Sequence, residues 1–261
     1  MADWLGLTTE EFSPGRIAVL PVAAIEQHGP HLPVGTDTLI AQAYLARVRA
    51  LLPRDSAALF LPVQAVGASD EHLAFAGTLT LSPGTALRAF IEIGESVRRA
   101  GIVKLIIVNS HGGNAALIEL AARQLRVRHG MLAVHCSWSR FGYPAGLFGE
   151  TEEIHGIHGG EIETSIMLAA YPELVRRHKV ADFKPATVAM ERGFTWLRAD
   201  VPVGFGWMTQ DLHASGAVGD ATRATAEKGE AALDHGARAF VALLDDVGRF
   251  DMAGLAKGPL G

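Results

Sequence analysis

Apolar and polar positions along the chain fall into two regimes: short runs of aliphatic and β-branched residues, and longer stretches with apolar residues at helical spacing. Ile17–Ile25 (IAVLPVAAI) reads as a first strand, and Thr38–Leu52 as the helix that follows it. Ala58–Val66 predicts a second strand. In Pro83–Ala100, Leu87, Phe90, Ile91 and Ile93 recur at helical spacing. Lys104–Asn109 (KLIIVN) is a third strand, Ala115–Arg128 a helix, and Met131–Trp138 a buried strand. Gly160–Ala170 predicts a helix with Ile162, Ile166, Ala169 and Ala170 on its apolar face, and Asp220 is placed to cap a last helix running to Leu244.

Strand, crossover helix and strand in repetition imply an α/β fold, a single-domain layered α/β/α arrangement over residues 1–261 around a mostly parallel central sheet. The chain shows no internal repeat and no low-complexity linker. Arg192–Val218, with four glycines, Trp196 and Trp207, has no clear period and reads as loop or irregular strand, a length of chain that in compact domains is often functional. The tail Gly254–Gly261 reads as frayed.

Composition narrows the function classes. With 49% apolar and 20% charged residues the chain can bury a sizeable core, which excludes the signature of disorder. A net charge of -5, with lysines and arginines scattered, offers no field for a phosphate backbone, so no nucleic-acid partner is expected. No stretch approaches a ~20-residue apolar span and the N-terminus lacks a signal-peptide pattern, so a cytoplasmic protein without a membrane partner is expected. Cys136 is the only cysteine, in the apolar run MLAVHCSW, and reads as a core thiol.

In open parallel sheets ligands sit beyond the carboxyl ends of the strands. The first predicted strand runs into Glu26-Gln27-His28, where residues two apart in extended chain can face one ion. Asp37 follows a Gly/Pro-containing return and can swing back to the same point. The third strand ends in Ser110-His111-Gly112-Gly113-Asn114, and a fourth place is His158-Gly159-Gly160-Glu161-Ile162-Glu163 at a helix start. Carboxylates and imidazoles together at several strand ends match what Zn²⁺, Mn²⁺ or Fe²⁺ require, and a bridging carboxylate would allow two ions. Taken singly, His31, His72, His129, His135, His155 and His178 read as surface or core polar residues.

The runs LPVAAIEQHGPHLPVGTD, NSHGGN, HGGEIETS and GAVGDATRATAEKG resemble the creatininase (creatinine amidohydrolase) family from about Ile17 to Leu244. The resemblance implies metal ligands at Glu26, His28, Asp37 and His111, with Asp37 bridging two divalent ions, zinc foremost and manganese or iron as alternatives. It also implies a layered α/β fold, a homohexamer and a small-molecule substrate. Creatininase itself carries a metal-binding Glu two places after the histidine matching His111, where this chain has Gly113. By the resemblance Glu161 takes over as the fifth ligand, with Glu163 as the alternative. Creatininase also grips its ring with an aromatic residue and a Trp-Asp pair whose positions here are Gly112, Ile154 and His155, so creatinine is not the expected substrate. Other branches of the family hydrolyse a formamide, cleave a small precursor peptide or open an inosose-derived ring.

The expected chemistry is hydrolysis of a C–N bond other than an ordinary peptide bond, with metal-activated water and His158 passing a proton to the leaving nitrogen. His158 could instead only brace the Gly159-Gly160 turn. Asn114 could orient His111 or cap the following helix. Two rivals stand beside this reading: a non-catalytic metal- or ligand-binding subunit, and a hydrolase using Ser110 or Ser165 as nucleophile, although no G-x-S-x-G elbow is present.

Overall fold

The structure is a computed structural model that describes residues 2–256 and Gly258. Its strands are β1 (Ala2–Asp3), β2 (Ile17–Val22), β3 (Ala58–Phe60), β4 (Lys104–Asn109) and β5 (Leu132–Ser137). They form one parallel sheet in the order β1-β3-β2-β4-β5. Central β2 is buried along its whole length, which is why its sequence is continuously apolar instead of alternating.

Helices α1 (Thr36–Leu51), α2 (Pro83–Arg99) and α3 (Ala115–His129) make the crossovers between successive strands of β2 to β5. The second half of the chain adds α4 (Glu150–His155), α5 (Glu161–Ala170), α6 (Ala186–Gly193), α7 (Thr209–Leu212) and α8 (Ala226–Arg249). A two-stranded antiparallel ribbon pairs β6 (Asp182–Phe183) with β7 (Gly219–Asp220).

The sheet divides the core into two layers. Ile17, Val19, Ile106 and Val108 point to one face and pack on α1, α5 and α8, while Ala18, Leu20, Leu105 and Ile107 point to the other and pack on α2 and α3. Phe240 on the first face and Phe90 on the second are fully buried. Side chains of this size each contribute about 1.5–3 kcal/mol. Helix α8 lies against α5 at Gly229, where a Cβ would overlap the Ser165 carbonyl, and that contact seats the helix carrying Glu163.

Several boundaries differ from those predicted. The second strand is only Ala58–Phe60, followed by a single bridge between Gln64 and Val22. The fourth strand is half-buried because β5 lies at the sheet edge. Asp220 caps a short 3-10 turn by accepting from Thr222, and Thr225 caps the long helix by accepting from Lys228. Asp37 stands inside the first turn of α1, since that helix starts two residues earlier than predicted. Half of the predicted frayed tail, Lys257 and Pro259 to Gly261, lies outside the described residues. Among the described residues no helix is long and apolar enough to cross a membrane.

Candidate metal centre

The strand ends converge as the parallel topology requires. Glu26 and His28 lie on the segment after β2, Asp37 in the first turn of α1, and His111 directly after β4. The chain returns from the other side with His158, bridged backbone to backbone with Val218, and with Glu163 in the first turn of α5. Glu26, His28, Asp37, His111 and His158 are all buried.

Two groups of side chains share Asp37. In one, His111 Nδ1 stands 3.1 Å from Glu26 Oε1 and 3.6 Å from Asp37 Oδ2. In the other, His28 Nε2 stands 3.4 Å from Asp37 Oδ1 and 3.8 Å from Glu163 Oε2. Both oxygens of Glu26, His28 Nε2 and Asp37 Oδ2 are buried without a hydrogen-bond partner among the described residues. Among the described residues no lysine or arginine pairs with Glu26, Asp37, Glu71 or Glu163. Buried carboxylates and bare imidazole nitrogens without donors are costly unless a cation satisfies them. The donor set therefore fits divalent metal ions.

The far side of each ring is held by backbone. His28 Nδ1 faces the Glu26 carbonyl at 3.0 Å, and His111 Nε2 faces the Ala68 carbonyl at 2.8 Å. Such outer partners fix ring orientation in metal sites. Gly113 is small for this reason: a Cβ there would lie 2.5 Å from both Ala68 O and His111 Nε2, and 2.7 Å from Glu71 Oε1. Asn114 does not cap α3. It joins the Ala23 carbonyl, the Ala68 amide and Asn109, and so braces the Ala68 carbonyl that His111 uses.

Electrostatics separates the four rings into pairs. Burial works against a charged imidazole, yet Asp37 and Glu163 push His28 up to about 10, and Glu26 and Asp37 push His111 up to about 10. Burial and Glu26 hold Asp37 at about 7 against the pull of His28 and His111. Burial would raise Glu26 too, but His111 holds it well below the usual carboxylate range. His158 is pushed down to about 4 by burial and His28, and His72 to about 2 by burial and His158. The centre thus draws positive charge to His28 and His111 and keeps the other pair neutral.

Glu161 is not where the sequence reading put it. Its buried carboxylate is paired with Lys228 and stands 3.7 Å from Arg223, and it belongs to none of the metal-competent groups among the described residues. Glu163 faces His28 instead, its Oε2 also accepting from the Gly159 amide at 2.6 Å. Two positions on α5 two residues apart cannot face one point.

His72, which the sequence presents as a surface or core polar residue, and its neighbour Glu71 stand beside the centre on the 3-10 turn Asp70–His72: His72 Nε2 lies 3.3 Å from Glu26 Oε1 and Glu71 Oε1 lies 3.4 Å from His111 Nε2. Their signal was the polar run Ser69–His72 that follows the second apolar run soon after Val66. Three of the other histidines act as props: His31 meets Thr164, His155 meets Thr187 and Glu191, and His129 meets Glu95. The irregular segment backs the site through Thr209, Gly216 and Val218.

A cavity of about 650 Å³ opens from His111 and Glu163 and is walled by Tyr44, Trp138 and Tyr143, with Ser110 at its edge. The two serines considered as nucleophiles have no imidazole base. Ser110 Oγ donates to the Val22 carbonyl, and Ser165 Oγ to the Glu161 carbonyl inside α5.

A family profile described as Creatininase: Creatinine amidohydrolase matches residues 6–244. The chain is 32% identical over 238 residues to a mycofactocin precursor peptide peptidase of Mycobacterium tuberculosis, covering 87% of this chain and 81% of that protein. It is 31% identical to creatinine amidohydrolase of Pseudomonas putida, covering 84% of each. A crystal structure of creatinine amidohydrolase superposes with a TM-score of 0.77 at 27% identity, over 96% of this chain and 99% of the other.

Proposed function

The chain belongs to the creatininase family, and on that premise we propose that it is a divalent-metal-dependent amidohydrolase cleaving a C–N amide bond of a small molecule. The observation that carries this reading is the buried set of polar atoms on Glu26, His28 and Asp37 that has no hydrogen-bond partner among the described residues. Glu26, Asp37 and His111 would hold one ion; His28, Asp37 and Glu163 would hold the other, with Asp37 shared. Mixed imidazole and carboxylate donors suit Zn²⁺ first and Mn²⁺ or Fe²⁺ next. Such ions, when bound, polarise a carbonyl and lower the pKa of water.

His158 is the proton carrier of this reading. Its Nε2 is held on the Gln27 carbonyl at 2.5 Å, and its Nδ1, 3.6 Å from Glu26 Oε1, makes no hydrogen bond among the described residues. That bare nitrogen can take a proton from the attacking water and hand it to the leaving nitrogen. Tyr44, Trp138 and Tyr143 wall the space for the substrate, and the Trp138 indole N–H is buried without a partner among the described residues.

Two of the relatives' names specify amide hydrolysis, of a peptide and of creatinine. Creatinine is not the proposed substrate: Ile154 is exposed, and His155 is turned to Thr187 and Glu191. A cytoplasmic homohexamer remains part of the proposal on the family resemblance alone. The test is a screen of cyclic amides, formamides and short peptides against Zn²⁺- and Mn²⁺-loaded protein. Turnover that chelation abolishes is expected; a protein that binds no divalent ion on reconstitution sinks the reading.

A further inference from the structure

Four imidazoles meet at the centre, and backbone groups decide which nitrogen of each carries hydrogen. His28 Nδ1, His111 Nε2 and His158 Nε2 each face a carbonyl, of Glu26, Ala68 and Gln27 respectively. A carbonyl only accepts, so these nitrogens are N–H, and the opposite nitrogen of each ring is turned toward the carboxylates.

His72 is set the other way round. Gln27 Oε1 accepts from the backbone N–H of Gly29 at 2.9 Å, and Gln27 Nε2 donates to the Gly216 carbonyl at 2.9 Å. With a backbone donor on one end and a backbone acceptor on the other, the amide has one orientation. Its remaining N–H meets His72 Nδ1 at 2.7 Å, so that nitrogen is an acceptor and the hydrogen of the neutral ring sits on Nε2. The alternative, His72 Nδ1–H donating to Thr209 Oγ1 at 3.0 Å, would set two N–H groups against each other across 2.7 Å. His72 Nε2, 3.3 Å from Glu26 Oε1 and 3.9 Å from Glu71 Oε1, makes no hydrogen bond among the described residues.

We propose that His72 is a catalytic residue, a neutral Nε2–H donor locked in place by Gln27, which hydrogen-bonds a substrate oxygen at the metal centre. The proposal rests on the hydrolase reading above. With ions on His28 Nε2 and His111 Nδ1 those two rings would have no N–H on this side, the carboxylates offer only acceptors and His158 turns a bare Nδ1 to it, so an oxygen that gains negative charge as water adds to the carbonyl finds an N–H donor in His72. A donor fixed beforehand in a buried site costs no reorganisation when the charge develops. Gln27 is the positioning residue of the device, its side chain setting His72 and its carbonyl setting His158.

The test is long-range ¹H–¹⁵N correlation on the zinc-loaded full-length protein, which reports the protonated nitrogen of each ring. His72 is expected as Nε2–H in the wild type and as Nδ1–H in Gln27→Glu, where a carboxylate oxygen takes the place of the amide N–H. Nδ1–H in the wild type, or zinc bound at His72 Nε2, overturns the proposal and leaves the hydrolase reading standing. With acetohydroxamate as oxygen probe, His72→Leu should weaken binding at least about tenfold at unchanged zinc content, and His72→Gln, which keeps a donor, should recover most of it. Equal affinity in all three proteins also overturns the proposal. Failure of the wild type to take up zinc defeats the hydrolase reading, and the ring correlations of the metal-free protein then still decide the His72 assignment.

Discussion

Asp37 Oδ1 stands 3.4 Å from His28 Nε2, and both side chains are sealed from solvent although they come from opposite ends of a loop. The other carboxylate oxygen of Asp37 faces His111 at 3.6 Å, so one residue at the head of α1 serves both metal-competent groups. Asp37→Ala is therefore expected to lose both ions. Elemental analysis of reconstituted protein checks this, and retention of one ion would show that the carboxylate is not shared.

The two glutamates of α5 should separate cleanly. Glu163→Gln is expected to remove the ion shared by His28 and Asp37 and to abolish turnover. Glu161→Gln breaks the pairing with Lys228 and Arg223 and should cost on the order of 1 kcal/mol of stability while leaving the metal content intact. Metal stoichiometry and a urea midpoint on the two variants distinguish them; the reverse pattern would return the ligand role to Glu161.

Gly113→Ala puts a methyl group against the Ala68 carbonyl and the His111 ring. Overpacking of this kind costs about 1–3 kcal/mol, and here the ring that must move belongs to a metal-competent group. A lower Tm together with at least tenfold weaker binding of one ion is expected, read by calorimetry and by metal titration. A fall in Tm with unchanged metal affinity would show that the turn yields without moving His111.

Metal removal should lower stability, because ions bound only by the folded chain stabilise it by mass action, about 2.7 kcal/mol at a concentration one hundred times Kd. Dialysis against a chelator is expected to lower Tm, and zinc to restore it. An unchanged Tm would mean that the acceptor cluster binds no ion of consequence.

Creatinine should be turned over poorly or not at all by the zinc- and manganese-loaded protein. Steady hydrolysis on the order of 10 s⁻¹, the middle of the range for working enzymes, would show that Trp138 and Tyr143 grip the ring without help from positions 154 and 155.

Local pattern by itself determined the class of fold. Short continuous runs rich in aliphatic and β-branched residues at Ile17–Val22 and Lys104–Asn109 fit strands covered on both faces, and helical spacing between them fits crossovers in a parallel sheet. Since a parallel sheet puts its ligand site at the carboxyl ends of its strands, Glu26, His28 and His111 were legible as a group before any contact was known. Asp220 was misread because any Asp before a helical pattern looks like a cap; whether it holds the long helix or a short turn depends on a kink of the chain that Thr225 ends. The direction of a side chain was not legible either. Glu161 and Glu163 share a helix turn, and only the packing of α8 against α5, which brings Lys228 to one of them, decides which is left to face His28 and Asp37. His72 was hidden for a similar reason. Its role comes from Gln27, forty-five residues away in sequence, whose amide is oriented by the backbone of Gly29 and Gly216. Spacing along the chain carries periodicity and strand ends, whereas hydrogen-bond direction at a buried site is set by groups that meet only when the sheet has formed.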